Sequence, residues 1–308
     1  EYLDDLNPRI AQATRDGVQA TPESARAALA ALNDFAAPPV PVARVFDRFV
    51  GNATTNDRHQ VGSGLGASQG QRADAPRKVP VRVYVPRPGT PSDVVFFVHG
   101  GGHMAGDLDV YDFSARRLAA ATGMVIVSVD YRRSPETLFP GGLEDAYQVL
   151  QHLDAATAGE TVTGRVHAFA DSGGAAKLAS IAMRVAGGSW RSPIDRHVLL
   201  YPSLDYTMRG ASLTELGTGY FLSAERVRWY FDHYFPAGTD RESASPLFGA
   251  MNADMPETLV IAAEYDPLRS EAEAYVARMR EVGASAHVLI APGMIHAFAF
   301  FESLVPEE

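Results

Sequence analysis

A strand-like run that ends in a serine and passes at once into a helix-like segment most constrains the fold of this chain. The mostly apolar run 166–170 is followed by Asp171 and Ser172, then by two glycines and the helix-forming segment 175–179. A sharp strand-to-helix turn of this kind holds a serine hydroxyl clear of a sheet, and the helix start adds free N–H groups. The glycines let neighbouring backbone pass close beneath the turn. The stretch therefore predicts a nucleophile elbow at Ser172.

Strand-like and helix-like segments alternate along most of the chain. Helices are expected near 110–122, 141–156 and 268–282, and a last one after Pro292-Gly293. This alternation predicts the α/β class, with a mostly parallel central sheet and helices on both faces. The strands are expected at 45–50, 79–85, 94–98, 124–129, 166–170, 197–201, 258–263 and 287–291.

Two helical regions fall outside the alternation. Residues 1–37 have the pattern of two amphipathic helices, the second beginning at Thr21-Pro22-Glu23, and residues 203–256 contain a helix start at Ser223. We expect 1–45 to form N-terminal cap helices with a connector, and 203–256 to form a cap insertion. The catalytic domain would then comprise 46–202 and 257–308. The alternative for the inserted helix is packing on the main core.

Composition excludes several classes of function. The net charge of −10 argues against nucleic acid as a partner. The absence of cysteine excludes disulfides and thiolate chemistry, and no apolar run approaches the roughly 20 residues that span a bilayer. The N-terminus is acidic, unlike a secretory signal, and lacks methionine, which predicts trimming or processing. We expect a cytoplasmic location, while secretion and a homodimer are left open.

No cofactor is expected. Residues 62–67 match G-x-G-x-x-A, but the helix that a dinucleotide site needs does not follow, so 51–78 is expected to be an exposed loop. His99 and His103 flank three glycines that make a poor helix, and no third metal ligand accompanies them, so we expect no metal site. With a metal site rejected, two interpretations of Gly100–Gly102 are left. The three glycines either present N–H groups that stabilise a developing oxyanion, or form a tight loop that binds nothing.

Two further residues that could take part in acyl transfer, an acid and a base, follow the serine along the chain. Asp266 comes just after the strand at 258–263, and His296 comes just after the strand at 287–291. Both are therefore expected at the same sheet edge as Ser172, in the chain order of an α/β-hydrolase triad. Glu264 and Asp205 are competing candidates for the acid, and Asp266 is preferred because its strand follows the insertion.

Together these motifs make the chain resemble the hormone-sensitive-lipase-like esterases, the bacterial family IV group of α/β hydrolases, from about residue 80 to 300. The resemblance implies an α/β-hydrolase fold with a helical cap and a serine carboxylesterase activity on small esters with short-to-medium acyl chains. It implies Ser172 as nucleophile, His296 as base and Asp266 as the residue that orients it. The motifs lie at 99–102, 129–132, 134–136, 143–146, 171–172, 266–269 and 296–298.

The resemblance also implies an oxyanion hole formed by the N–H groups of Gly101, Gly102 and Gly173. The elbow departs from the family pattern Gly-Asp-Ser-Ala-Gly-Gly, because it reads Ala-Asp-Ser-Gly-Gly-Ala over 170–175, with Ala170 in place of the first glycine and Gly173 in place of the alanine. These departures put the rate of the reaction and the rigidity of the elbow in question. They remove no catalytic group, so the reaction class is unaffected.

Aromatic residues of the cap are expected to line an apolar pocket, namely Tyr220, Phe221, Trp229 and Tyr230. A different class of function is a non-catalytic receptor that binds a small ligand on the same fold. Because all three triad members are present, the enzyme is the preferred interpretation.

Overall fold

The computed structural model of the protein describes residues 20–36, 38–51 and 77–304. The first predicted helix within 1–37 and nearly all of the predicted loop at 51–78, including the glycine motif at 62–67, lie outside the described residues. The helices are α1 (Pro22–Ala31), α2 (Asp112–Thr122), α3 (Gly141–Gln151), α4 (Leu153–Ala156), α5 (Ser172–Ala186), α6 (Ala211–Glu215), α7 (Ala224–Tyr234), α8 (Arg241–Ala244) and α9 (Arg269–Glu281). The strands are β1 (Arg44–Val50), β2 (Val79–Val85), β3 (Ser92–Val98), β4 (Val125–Val129), β5 (Val162–Asp171), β6 (Ile194–Leu200), β7 (Glu257–Tyr265) and β8 (Ala286–Ile295).

The strands form one eight-stranded sheet in the order β1-β2-β4-β3-β5-β6-β7-β8. The pairs β1–β2 and β2–β4 are antiparallel, and every later pair is parallel. The predicted α/β class with a mostly parallel sheet is confirmed. In this order the carboxyl ends of β3, β5, β6, β7 and β8 share one edge, where open α/β sheets bind ligands.

The centre of the sheet is buried on both faces. Along β3, Val94, Phe96 and Val98 belong to a core that includes residues of α3 and α5, while Val95 and Phe97 belong to a second core that includes residues of α2. Because successive strand side chains point to opposite faces, a strand covered on both sides needs an unbroken apolar sequence. This accounts for the continuous apolar run at 94–98.

Side-chain caps fix the starts of α1 and α7. The hydroxyl of Thr21 accepts a hydrogen bond from the Ser24 backbone N–H at 3.1 Å, and the Ser24 hydroxyl accepts one from the Thr21 N–H at 2.9 Å. Ser223 caps α7 by accepting from the Arg226 N–H at 3.1 Å. Both predicted helix starts are therefore confirmed. Within the described ranges, no helix is both long enough and apolar enough to cross a bilayer.

The predicted last helix after Pro292-Gly293 is wrong. β8 continues through both residues to Ile295, which pairs with Tyr265 beyond an irregularity in the β7–β8 register. The Gly293 N–H donates to the Glu264 carboxylate at 2.7 Å, which holds the extension in place. Short 3₁₀ turns follow instead, at Phe298–Phe300 and Glu302–Leu304.

The elbow depends on a close approach between α5 and the end of β3. A side chain at Gly174 would clash with the carbonyl oxygens of Val98 and His99. These are backbone atoms at the end of a central strand, so they cannot move aside without disturbing the sheet. Glycine at this position lets α5 begin directly beneath β3.

We therefore expect Gly174→Ala to lower the free energy of unfolding by about 1–3 kcal/mol or more, the usual cost of overpacking. Urea denaturation would measure it. Gly187→Ala at the other end of α5 is the matched control, since a Cβ there makes contacts of 3.4 Å or longer. Equal stability of the two variants would contradict this account of the elbow.

Candidate active site

The structure brings Ser172, His296 and Asp266 into one hydrogen-bonded chain. Ser172 Oγ lies 3.0 Å from His296 Nε2, and His296 Nδ1 lies 2.8 Å from Asp266 Oδ2. Asp266 is fully buried and His296 nearly so. The second Asp266 oxygen accepts from the Leu268 N–H at 2.9 Å, which fixes the carboxylate. This arrangement can take a proton from the serine hydroxyl and stabilise the imidazolium that results.

The backbone of the serine is strained. Ser172 has a φ of +46°, a left-handed conformation that non-glycine residues rarely adopt, while the preceding Asp171 is extended. Such strain persists only where the surrounding structure holds it. Ser172 is also the first residue of α5, so its hydroxyl stands at the helix start, at the sheet edge.

Gly101, Gly102 and Gly173 line one cavity together with Ser172. Gly101 and Gly102 have φ values of +100° and +61°, so both positions favour glycine. A Cβ on Gly102 would also lie 2.7 Å from the Tyr230 ring. In the described part of the chain, the N–H groups of Gly101, Gly102 and Gly173 have no protein acceptor. They are free to bind an oxyanion beside Ser172.

The carboxylate of Asp171 binds the glycine loop and Tyr111 beside the catalytic serine. Its Oδ1 accepts from the Gly100 N–H at 2.7 Å, and its Oδ2 accepts from the Tyr111 hydroxyl at 3.0 Å. Burial raises the pKa of Asp171 to about 6, although the hydrogen bonds from Tyr111 and Gly100 favour the charged form and oppose the shift. The sequence drew attention to Asp171 only as part of a motif, and nothing in the sequence pointed to Tyr111.

The motif residues between 129 and 146 support the glycine loop. The Tyr131 hydroxyl donates to the His99 carbonyl at 2.7 Å, and its ring stacks on the His99 imidazole with centroids 4.4 Å apart. The buried Asp145 carboxylate accepts from the Arg132 guanidinium at 2.9 Å. These residues hold the strand ends together and do not line the cavity at Ser172.

The two competing acids lie elsewhere. Asp205 accepts from the Thr207 N–H at 2.8 Å, and Glu264 accepts from the Gly293 N–H at 2.7 Å. Neither hydrogen-bonds to His296. Among the described residues, no group of three or more His, Cys, Asp or Glu side chains is arranged to hold a metal ion.

A cavity of about 400 Å³ opens onto Ser172. Its mostly apolar wall comes from α1, from the segment 219–223 and from α7, and Phe221 and Tyr230 are part of it. Tyr220 and Trp229, which were also expected in the pocket wall, do not line this cavity. Tyr220 stacks on Tyr265 instead, with centroids 5.1 Å apart, and Trp229 packs against His233 at 4.4 Å.

The family model for the alpha/beta hydrolase fold matches residues 95–300, about two thirds of the chain. The chain belongs to this family. It is 29% identical over 235 residues to an ethyl acetate hydrolase of Pseudomonas putida, covering 74% of each protein. It is 31% identical over 241 residues to a carboxylesterase of Mycobacterium tuberculosis, covering 74% of this chain and 73% of that protein.

Among solved structures, this α/β hydrolase is similar to EstE1, a thermostable carboxylesterase cloned from a metagenomic library. The TM-score is 0.77 at 30% identity, over 93% of this chain and 92% of that one. The expected resemblance to hormone-sensitive-lipase-like esterases is confirmed. A gibberellin receptor of Arabidopsis thaliana is 30% identical over 207 residues, covering 64% of this chain and 57% of the receptor. This more distant match does not favour the receptor alternative.

Tyr111→Phe should destabilise the protein in a pH-dependent way. The pKa of the folded-state Asp171 is raised, so the carboxyl is neutral below about pH 6 and charged above it. The variant leaves Oδ2 of the charged form without its donor, so we expect a loss of about 1.5–3 kcal/mol at pH 8 and a smaller loss at pH 5. Urea unfolding at both pH values measures this difference.

Tyr220→Phe serves as the control for this experiment, because it also removes one phenol hydroxyl while the stacked ring remains. It should change stability little and equally at both pH values. An equal loss for Tyr111→Phe at pH 5 and pH 8 would contradict the role given to the Asp171 charge.

Proposed function

We propose that this protein hydrolyses small carboxylic esters through an acyl-enzyme formed on Ser172. The observation that carries the proposal is the chain Ser172–His296–Asp266, with distances of 3.0 and 2.8 Å, facing N–H groups that have no protein acceptor among the described residues. The protein is a carboxylic ester hydrolase by its relatives, which include named esterases on the same fold. The assignment of roles to individual residues is our own.

In the first step, Ser172 Oγ attacks the ester carbonyl while His296 Nε2 takes its proton. The carbonyl oxygen becomes an oxyanion, which the N–H groups of Gly102 and Gly173, with Gly101, stabilise. His296 then gives the proton to the leaving alcohol. Water attacks the acyl-enzyme with His296 again as base, which releases the acid and restores Ser172.

Asp266 fixes the tautomer of His296 in this scheme. Its Oδ2 accepts from Nδ1, so the lone pair of Nε2 is directed at Ser172. The carboxylate also stabilises the imidazolium formed when the proton is transferred. His296 acts as the base in its neutral form, with Nε2 unprotonated and ready to accept the serine proton.

The cap is part of the same proposal. α1 and α7 contribute to the cavity wall from two separate parts of the chain, which supports a cap formed by 1–45 and 203–256 over a catalytic domain of 46–202 and 257–308. The cavity of about 400 Å³ and its apolar wall are consistent with short-to-medium acyl chains. A cytoplasmic location remains a prediction from the sequence, and the oligomeric state is left open.

Ser172→Ala should lower kcat for p-nitrophenyl acetate by at least about 10⁴-fold, since the nucleophile is lost. Ser203→Ala is the matched control, because Ser203 lines the same cavity but is not bonded to His296. Labelling with an organophosphonate should modify the wild type and Ser203→Ala, but not Ser172→Ala. A Ser172→Ala variant with full activity would refute the mechanism.

Tyr230→Ala should shift the preference toward longer acyl chains. Its ring forms part of the cavity wall, and each newly accommodated methylene is worth about 0.8 kcal/mol, or roughly fourfold in kcat/KM. The measurement is a series of p-nitrophenyl esters from acetate to octanoate. Trp229→Ala, one residue away and outside the cavity, should leave the profile unchanged. The same shift in both variants would count against this cavity as the acyl site.

A further inference from the structure

A lysine and a histidine lie together in the interior, directly behind the glycine loop. Lys177 Nζ is 2.8 Å from His103 Nδ1, and each residue is only 1% exposed. Lys177 belongs to α5, which begins at Ser172, and His103 follows Gly102 in the loop. The reaction as proposed uses neither side chain.

Aromatic rings enclose the pair. The His103 imidazole stacks on Tyr234 with centroids 3.9 Å apart and planes 5° apart. Lys177 Nζ lies 4.0 Å from the centroid of the Tyr131 ring, a cation–π contact. In the described residues no carboxylate lies within ion-pair distance of Lys177, so His103 Nδ1 is its hydrogen-bond acceptor.

The imidazole is in turn packed against the oxyanion donors. His103 has a φ of +63°, the third left-handed residue in succession after Gly101 and Gly102, and this strain requires an anchor. A Cβ at Gly173 would lie 3.0 Å from His103 N and 3.3 Å from Nδ1. The glycine that departs from the usual elbow sequence therefore leaves room for His103.

We propose that Lys177 is a positioning residue for the oxyanion loop. Its hydrogen bond to Nδ1 holds the His103 ring against Gly173, and so fixes the N–H groups of Gly102 and Gly173 relative to Ser172. The inference rests on the proposed ester hydrolysis, in which these groups bind the oxyanion.

The charge of Lys177 changes in the working pH range. Burial lowers the pKa of Lys177 to about 7, and the charge of Asp145 opposes the shift. Burial also lowers the pKa of His103 well below its ordinary value, so the imidazole stays neutral and accepts. The hydrogen bond is charge-assisted below about pH 7 and weaker above it.

The other groups around the pair keep their charge state through this change. Burial raises the pKa values of Tyr131, Tyr206 and Tyr234, so their phenols remain neutral. Burial lowers the pKa of His99 to about 3, so that imidazole is neutral as well. Asp145 is paired with Arg132. Within this cluster Lys177 is therefore the group whose protonation changes near pH 7, while Asp171, which binds the Gly100 N–H, changes near pH 6.

Lys177→Met is the main test. We expect kcat per titratable serine to fall about tenfold with KM nearly unchanged, less than the roughly 10²–10³-fold cost of removing an oxyanion donor outright. The wild-type pH profile should also carry a decline above about pH 7 that the variant lacks. Lys78→Met removes the same charge at an exposed site and should match the wild type in both respects.

The double variant Lys177→Met/His103→Phe tests whether Lys177 acts through His103. It keeps a stacked ring and leaves no buried polar group of the pair unpartnered, so it should fold, and its kcat should equal that of Lys177→Met. A further large loss would overturn the proposal. So would a Lys177→Met variant that melts earlier and has fewer titratable serines but keeps kcat per site and the wild-type pH profile.

A readout independent of activity separates this inference from the proposed function. Nitrogen-15 NMR of the wild type should show Lys177 Nζ titrating near pH 7 and His103 Nδ1 as an acceptor. Titration of Lys177 near its ordinary value would overturn the inference while ester hydrolysis stands. A wild type that hydrolyses no ester would overturn the proposed function, and with it the role of the pair, whatever the spectra show.

Discussion

The buried carboxylate of Asp171 is the interaction on which the geometry of the site depends. It lies at the end of β5, and its two oxygens bind the Gly100 N–H and the Tyr111 hydroxyl. Burying a carboxylate is costly unless its oxygens are hydrogen-bonded, so the loop after β3 must return to this point for the fold to be stable. The same bonds hold the residue before Ser172 and thereby help to maintain the strained serine. Stability and the position of the nucleophile thus depend on one side chain.

Sheet topology explains why the proposed catalytic residues could be predicted from sequence. The glycine loop follows β3, Ser172 follows the end of β5, Asp266 follows β7 and His296 follows β8. In a parallel sheet the carboxyl ends of neighbouring strands meet at one edge, so placing a residue just after a strand is enough to place it at the site. Only the strands themselves had to be recognised. For β3 the continuous apolar sequence made that possible, because burial on both faces leaves a strong signal. β7 and β8 also contain apolar runs, although part of each strand is exposed.

Contacts that depend on side-chain direction could not be predicted in this way. Tyr111 and Asp171 are 60 positions apart, and no spacing relates them. Trp229 and Tyr230 are adjacent on α7, and successive positions on a helix point about 100° apart, so only one lines the cavity. Pro292-Gly293 looked like the end of a strand, but the strand continues because Glu264 on the neighbouring strand binds the Gly293 N–H. The end of β8 was mispredicted because this tertiary contact overrode a local pattern.

The departures at Ala170 and Gly173 in the elbow have different physical explanations. The Ala170 side chain is fully buried in the core that includes residues of α3 and α5, so its methyl group adds packing below the turn and does not obstruct it. Gly173 faces the opposite side, where the imidazole of His103 leaves little room for a side chain. Glycine in place of alanine at position 173 would by itself allow the backbone of this oxyanion donor more conformations. The His103 imidazole packs against Gly173 and limits the movement of its backbone. The rigidity that the elbow loses through glycine is therefore supplied by His103, from the loop after β3.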